Sequence, residues 1–335
     1  MSKLSVVIIA KNEERNIARG IESILEATAH LGNVEIVLID SISTDKTIEI
    51  AQNYPIKIIQ LDPNFFISPS AGRFIGLKYT MGEFVYFLDG DMHLDQKWFE
   101  VALPIIENNP KLAGIAGKCH EITFDDYFQE IKSENLDRFS VGDQIHQVKH
   151  LGQSVLYRRT ALEKVGGFNP YLANEEELEL GLRLSADGYE LQRIPISMTV
   201  HYTKYYSNEN PSGLTLRQMK RDWFLGRYVA LGQVLALLWN NPFVGEYIKS
   251  YWKSLLFTLF YLIGIVSIFV DVAYFLIWFV LLFGFLSLRA LIKRNITDTL
   301  LYIVDYSLSA YGFVMGFFKS PPSISTYQPQ LKFIK

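Results

Sequence analysis

EFVYFLDGDM, Glu83 to Met92, is a run of strand-forming residues that ends abruptly in charge. Phe84 to Leu88 are aromatic or aliphatic, as in a buried strand. Two carboxylates, Asp89 and Asp91, then flank Gly90. One reading is a turn in which glycine lets the chain bend, since Asp and Gly are common turn residues. The other is a metal-diphosphate site at the mouth of a sheet, with both carboxylates serving one ligand.

The segments before this stretch favour a sheet. LSVVIIA (Leu4–Ala10), VEIVLID (Val34–Asp40) and IKIIQL (Ile56–Leu61) are short, nearly continuous apolar runs rich in β-branched residues. Helical segments separate them, from about Glu13 to Ala29, after a cap at Ser43 or Thr44, and from Ser68 to Met81. Strand–helix alternation of this kind predicts an α/β fold with a mostly parallel sheet covered on both faces. Ligands of such sheets bind beyond the carboxyl ends of the strands, where Asp40 and Asp89 lie. AKNEERN, after the first strand, holds no glycine, so neither a dinucleotide loop nor a P-loop is present there. Asp95 is expected to cap a helix over 96–108.

Composition narrows the class. A net charge of −3 argues against a nucleic-acid partner. The single cysteine, Cys119, excludes an internal disulfide and a cysteine-based zinc site, and it suits a reducing compartment. No secretory signal peptide is expected, because Leu4–Ala10 reads as a strand. Residues 254–288 carry one charge, Asp271. As a single helix they would run to roughly 50 Å, against a hydrocarbon core of about 30 Å. A membrane hairpin turning at Asp271 is the economical reading. Thr299–Phe318 is a third candidate, but Asp305 at its centre equally suits an interfacial helix. Lys249 and Lys253 before the hairpin, with Arg289, Lys293 and Arg294 after it, place residues 1–225 on the cytoplasmic face of a multi-pass inner-membrane protein. Leu216–Tyr228 is basic and aromatic, as expected of a helix lying on an anionic membrane surface. Gln218, Arg221 and Trp223 lie one residue out of step with the Gln-x-x-Arg-Trp signature of processive polysaccharide synthases, so the surface helix is the first reading.

Residues 4–205 resemble the family-2 glycosyltransferases, which have the Rossmann-like GT-A fold. The resemblance rests on SVVIIAKNEERNI, VLIDSISTDKT, GEFVYFLDGDM, LYRRTALEKVGGFNPYL and EELELGLRL, in that order. It implies that Glu13 and Asp40 lie by the nucleobase of a nucleotide-sugar donor. Asp89 would serve ribose or metal, and Asp91 would hold a divalent cation together with His201 of MTVHY. Oxygen ligands suit Mg²⁺ or Mn²⁺, and a histidine shifts the expectation toward Mn²⁺. Glu176 and Glu177 match the family's Glu-Asp pair, with Glu177 where the catalytic base, usually aspartate, stands. AGRFIG keeps Arg73 of the family's Arg-Asn pair, a donor-binding position, but has Phe74 in place of Asn. Ala10 and Lys11 stand where Pro and an aromatic are frequent.

The expected organisation is a nucleotide-sugar transferase domain over 1–210, amphipathic interface helices over 211–250, a hairpin and third helix over 251–320, and a tail over 321–335. The expected activity is membrane-anchored, inverting transfer of a sugar to a hydroxyl of a lipid-linked or growing saccharide in polysaccharide or glycoconjugate synthesis. A polyprenyl-phosphate acceptor is the alternative; its anion needs no base, so an essential Glu177 would argue against it. An inert membrane scaffold is the third reading, opposed by the retention of Asp40, Asp89, Asp91, Glu176, Glu177 and His201 together.

Overall fold

A computed structural model describes residues 3–124, 130–134, 142–152, 154–204 and 215–335. The strands are β1 (Leu4–Ala10), β2 (Val34–Asp40), β3 (Lys57–Gln60), β4 (Phe84–Asp89), β5 (Met92–Leu94), β6 (Leu112–Phe124), β7 (Glu130–Glu134), β8 (His146–Val148), β9 (Val155–Arg158), β10 (Glu190–Lys204) and β11 (Lys332–Phe333). Around the sheet run α1 (Ile17–Thr28), α2 (Thr47–Ala51), α3 (Pro69–Lys78), α4 (Trp98–Asn108), α5 (Arg159–Lys164) and α6 (Glu176–Ala186). After them come α7 (Leu216–Phe224), α8 (Arg227–Leu237), α9 (Val244–Ser250), α10 (Trp252–Val270), α11 (Val272–Lys293) and α12 (Ile296–Phe318).

The chain forms two compact units: Met1–Leu172, Glu176–Tyr206 and Pro322–Lys335 make one, and Ala173–Glu175 with Ser207–Pro321 make the other. The boundary expected between 210 and 211 falls on residues that lie outside the described set. In the sheet unit the strand order is β11-β3-β2-β1-β4-β9-β6-β10-β5, with β7 beside β6 and β8 beside β10. β3, β2, β1 and β4 run parallel, as their unbroken apolar runs require of strands covered on both faces. Beyond them the sheet is mixed: β9 enters antiparallel to both β4 and β6, whereas β6 and β10 pair in parallel. Helix α1 buries Ile17, Ile21 and Ile24 against the sheet, a helical spacing with one apolar face.

Register places the site. Ile9 at the end of β1 lies opposite Asp89, and Ala10 lies opposite Asp40, so both carboxylates emerge at one sheet edge. Gly90 is needed there for space and not for bending: its φ is not positive, and a Cβ would come 2.9 Å from the Ala10 Cβ. Asp95 does not cap α4. Its Oδ1 accepts from Lys97 N (2.9 Å), a local turn, and the helix starts at Trp98. Ser43 and Thr44 likewise do not cap α2, which starts at Thr47; they bond to Asn12 instead.

In the helical unit, α10, α11 and α12 are each long and apolar enough to cross a membrane. Asp271 separates α10 from α11 and caps the latter, its Oδ1 accepting from Ala273 N at 2.7 Å. No residue of α11 is buried, so a Val-, Leu- and Phe-rich surface faces outward along its whole length, as a bilayer demands. Helix α12 is the least apolar of the three and packs closely on α8. At Gly312 and Gly316 any Cβ would strike the α8 backbone at Tyr228 and Val229. Asp305 of α12 accepts from the Tyr228 hydroxyl at 2.7 Å.

Candidate active site

The first two loops at the sheet edge interlock. Asn12 N donates to Ser43 Oγ (2.8 Å), Thr44 N to Asn12 Oδ1 (2.8 Å), and Glu13 N to Thr47 Oγ1 (2.7 Å). The hydroxyls of SISTDKT thus build the β1 loop, a role hidden in the sequence because it links residues over thirty positions apart. Asn12 and Ile42 sit in the left-handed region, at φ 58° and 62°. Asn tolerates that conformation, but a β-branched Ile stores about 1–3 kcal/mol of strain.

Asp40 is fully buried at the end of β2. Its Oδ2 accepts from Ser43 N and from Gln60 Nε2, both at 3.0 Å. Gln60, paired with Asp40 across β2 and β3, was not singled out from sequence. Its signal was available: a polar residue closing an apolar strand, as Asp40 does.

Arg73 is the centre of the site. Ser68 caps α3 by accepting from Ala71 N (3.1 Å), Pro69 opens the helix, and one turn on Arg73 enters the interior at 1% exposure. Its guanidinium meets Asp89 at 3.0 Å, Glu176 at 2.6 Å and Glu177 at 3.4 Å. The ring of Phe168 lies 5.7 Å from the guanidinium carbon. Asp89 from β4 and the glutamate pair opening α6 are therefore brought together through one cation. Glu176 is the enclosed member of the pair, with its side chain 6% exposed; that of Glu177 is 17% exposed. The third acid of the motif, Glu179, is spent structurally: it holds Arg183 in a two-pronged contact, and Arg183 bonds the carbonyls of Val165 and Gly167.

Asp91 and His201 form a second contact, His201 Nε2 to Asp91 Oδ2 at 3.1 Å. Backbone pairing sets it: β5 runs antiparallel to β10 with His201 opposite Met92, and Tyr202 N donates to Asp91 O at 3.0 Å. Glu121 of β6, missed in the sequence, stands 3.7 Å from His201 Nδ1. A carboxylate on the second ring nitrogen is the usual device for orienting a metal-binding imidazole. Among the described residues no three His, Cys, Asp or Glu side chains form a complete metal cluster. Asp91 with His201 fits a cation of the substrate-bridged kind, which takes one or two protein groups and draws its other ligands from phosphate and water.

Crowded carboxylates raise each other's proton affinity. Burial, together with nearby Asp91, Asp45 and Asp89, pushes Glu13 up to about 7. Burial also lifts Asp89 to about 6, with Asp91 adding to the rise and Arg73 opposing it. Glu176 is raised furthest, to about 8, by burial first and Glu177 second, with Arg73 opposing. The folded protein thus binds a proton at Glu176 more tightly than the unfolded chain does. Its stabilising effect is complete below the ordinary glutamate value and fades as pH rises through about 8. Glu176→Gln, a mimic of the protonated carboxyl, should therefore gain in melting temperature relative to wild type between pH 5 and pH 8.5. A wild-type-to-variant difference that stays constant across that range would contradict the assignment.

Residues 5–166 match the sequence profile of glycosyl transferase family 2. The poly(ribitol-phosphate) β-N-acetylglucosaminyltransferase TarS of Staphylococcus aureus is 29% identical over 128 residues, which is 35% of this chain and 22% of that protein's length. This chain thus spans under a quarter of that relative. The probable glycosyltransferase YdaM of Bacillus subtilis is 22% identical over 95% of this chain and 72% of its own. Among solved structures, a fragment of S. aureus TarS in complex with UDP-GlcNAc superposes with a TM-score of 0.59. It is 16% identical, and the match covers 96% of this chain and 93% of the fragment, a likeness of fold. The sheet unit, with parallel β1–β4 and the Asp-x-Asp edge between β4 and β5, has the GT-A fold, and the part of it over residues 5–166 is similar to glycosyl transferase family 2.

Proposed function

We propose that this protein is a membrane-anchored, metal-dependent, inverting glycosyltransferase that moves a sugar from a nucleotide donor to a hydroxyl of a lipid-linked or growing saccharide. The observation that carries this reading is the Arg73 bridge, which ties Asp89 on the donor-side strand to Glu176 and Glu177 at the start of α6. The crystallised TarS fragments bind UDP-GlcNAc and UDP, which supports a uridine diphosphate donor here. A 24% identical relative from Nostoc sp., spanning 76% of this chain and 55% of its own, is a β-monoglucosyldiacylglycerol synthase, which supports an acceptor at a membrane surface.

Glu177 is the base. It keeps access to solvent and makes the longest of the three Arg73 contacts, whereas Glu176 is enclosed and locked. Glu177 takes the proton of the acceptor hydroxyl as that oxygen bonds to the anomeric carbon. The bond from that carbon to the diphosphate oxygen breaks on the opposite face, and the nucleoside diphosphate leaves with the electron pair. Glu176 and Arg73 fix the direction of the Glu177 carboxylate. Asp40, Gln60 and Glu13 line the edge where the nucleoside half of a donor would rest. A divalent cation, Mn²⁺ or Mg²⁺, held by Asp91 and His201 with Asp89 beside them, would offset charge on the departing diphosphate.

The membrane arrangement follows from chain parity. The chain before α7 and the chain after α12 belong to one compact unit, so both lie on the same face of any bilayer crossed between them. That common unit supports an even number of crossings. The hairpin α10–α11 supplies two, and α12, least apolar and packed on α8, stays at the interface. Helix α7, with Arg217, Lys220 and Arg221 beside exposed Trp223 and Phe224, suits an anionic cytoplasmic surface.

Two outcomes test this. In donor hydrolysis with Mn²⁺, where water stands in for the acceptor, Glu177→Gln should lower kcat by roughly 10²–10⁴-fold and change the donor KM less than about twofold. Undiminished turnover would favour the phosphate-acceptor alternative. Cys119 is buried, so single introduced cysteines report topology. Asp271→Cys should label from outside intact cells, and Ser323→Cys only after permeabilisation. Labelling of both from outside would contradict the even count.

A further inference from the structure

The chain that follows α12 returns to the sheet unit and completes it. Strand β11 pairs antiparallel with the edge strand β3, Lys332 opposite Gln60 and Phe333 opposite Ile59. Lys335 O accepts from Ile58 N at 2.9 Å. Residues 321–335, read in the sequence as a tail, thus contribute a strand and a core side chain. That side chain is Tyr327, buried at 1% exposure.

Its contacts fall on three segments, each leading to a different part of the site. The ring stands edge-on to Phe65 (5.8 Å), and the hydroxyl donates to Phe66 O (2.7 Å). Both residues lie in the loop after β3, whose Leu61 N donates to Asp40 O (2.9 Å). A second edge-on contact, at 5.8 Å, is to Phe74, next to Arg73 in α3. The third, at 5.3 Å, is to Tyr171, five residues before Glu176. In the same joint Ser68 Oγ donates to Pro170 O at 3.3 Å, and Ser70 Oγ donates to Asn169 O at 2.6 Å. Phe74, the departure from the family's Arg-Asn pair, here acquires a partner.

We propose that Tyr327 is a positioning residue for sugar transfer: it locks the β3 loop, α3 and the approach to α6 together. It thereby sets where Arg73 holds Asp89, Glu176 and Glu177. This rests on the proposed function, in which those groups form the donor and base sites. A bridge made by one buried guanidinium tolerates little drift, because small displacements of reacting groups cost rate steeply. A sheet domain cut before α7 would lack this residue.

The test uses full-length protein in detergent, with Tyr327→Ala and Tyr327→Phe read by hydrogen–deuterium exchange and by hydrolysis of UDP-GlcNAc with Mn²⁺. Tyr327→Ala should speed exchange in residues 61–78 and 169–180 while β1, β2 and α1 keep wild-type protection. It should lower kcat by about tenfold, through the displaced base, and raise the donor KM by a smaller factor. Tyr327→Phe keeps the ring and should recover most of both, leaving faster exchange only in 61–68. Unchanged exchange in Tyr327→Ala, evenly lost protection across the sheet, or wild-type kinetics would overturn the proposal. If Tyr327→Ala does not fold, the Phe variant decides, and its lack of any change at 61–68 overturns the proposal. Wild-type protein that turns over no nucleotide sugar counts against the proposed function, while the exchange result still decides the positioning role.

Discussion

A guanidinium almost without solvent contact cannot be left uncompensated, because burying an unpaired charge costs many kcal/mol. Arg73 meets that constraint with three carboxylates, and they in turn are tolerable at such closeness only because Arg73 lies among them. Burial first, and the excess of carboxylates over one guanidinium second, make Glu176 and Asp89 hold their protons above the usual range. The rest of the sheet unit can be understood as the scaffold that delivers these groups: β4 brings Asp89, α3 brings Arg73, and α6 brings the glutamate pair.

The second dependency is on register. Parallel pairing of β1 with β2 and β4 puts Asp40 and Asp89 at one edge, where a one-residue slip would turn each to the opposite face. Gly90 permits the close approach to Ala10 beside this register, where any Cβ would come 2.9 Å from the Ala10 Cβ. The β5–β10 pairing then fixes Asp91 beside His201 although 110 residues separate them.

Much of this was legible in the sequence because it is local and periodic. Strands β1 to β4 read as β-branched runs, the carboxylates stood at their ends, and Asp271 marked the break between two apolar helices. What was not legible depends on distant pairing. The antiparallel β9 has no signature of its own, since a buried strand looks the same in either direction. Nothing in Lys332–Phe333 foretold a strand, because two residues carry no period. Glu121, Gln60 and Tyr327 gained their roles from neighbours far along the chain. Asp95 and Ser43 were misjudged as caps because their side chains bond to Lys97 N and Asn12 N instead; the residue type alone cannot tell a cap from a loop tie.

The account stands on the Arg73-bridged acids and the Asp91–His201 pair working as one site. Release of UDP from UDP-GlcNAc by purified full-length protein in Mn²⁺, compared between wild type and Asp91→Ala, tests it most directly. Turnover in wild type that falls by roughly 10²-fold or more in Asp91→Ala, and that chelation abolishes, is the predicted result. Turnover untouched by the substitution, or no turnover with any UDP-, GDP- or dTDP-sugar, would contradict the account.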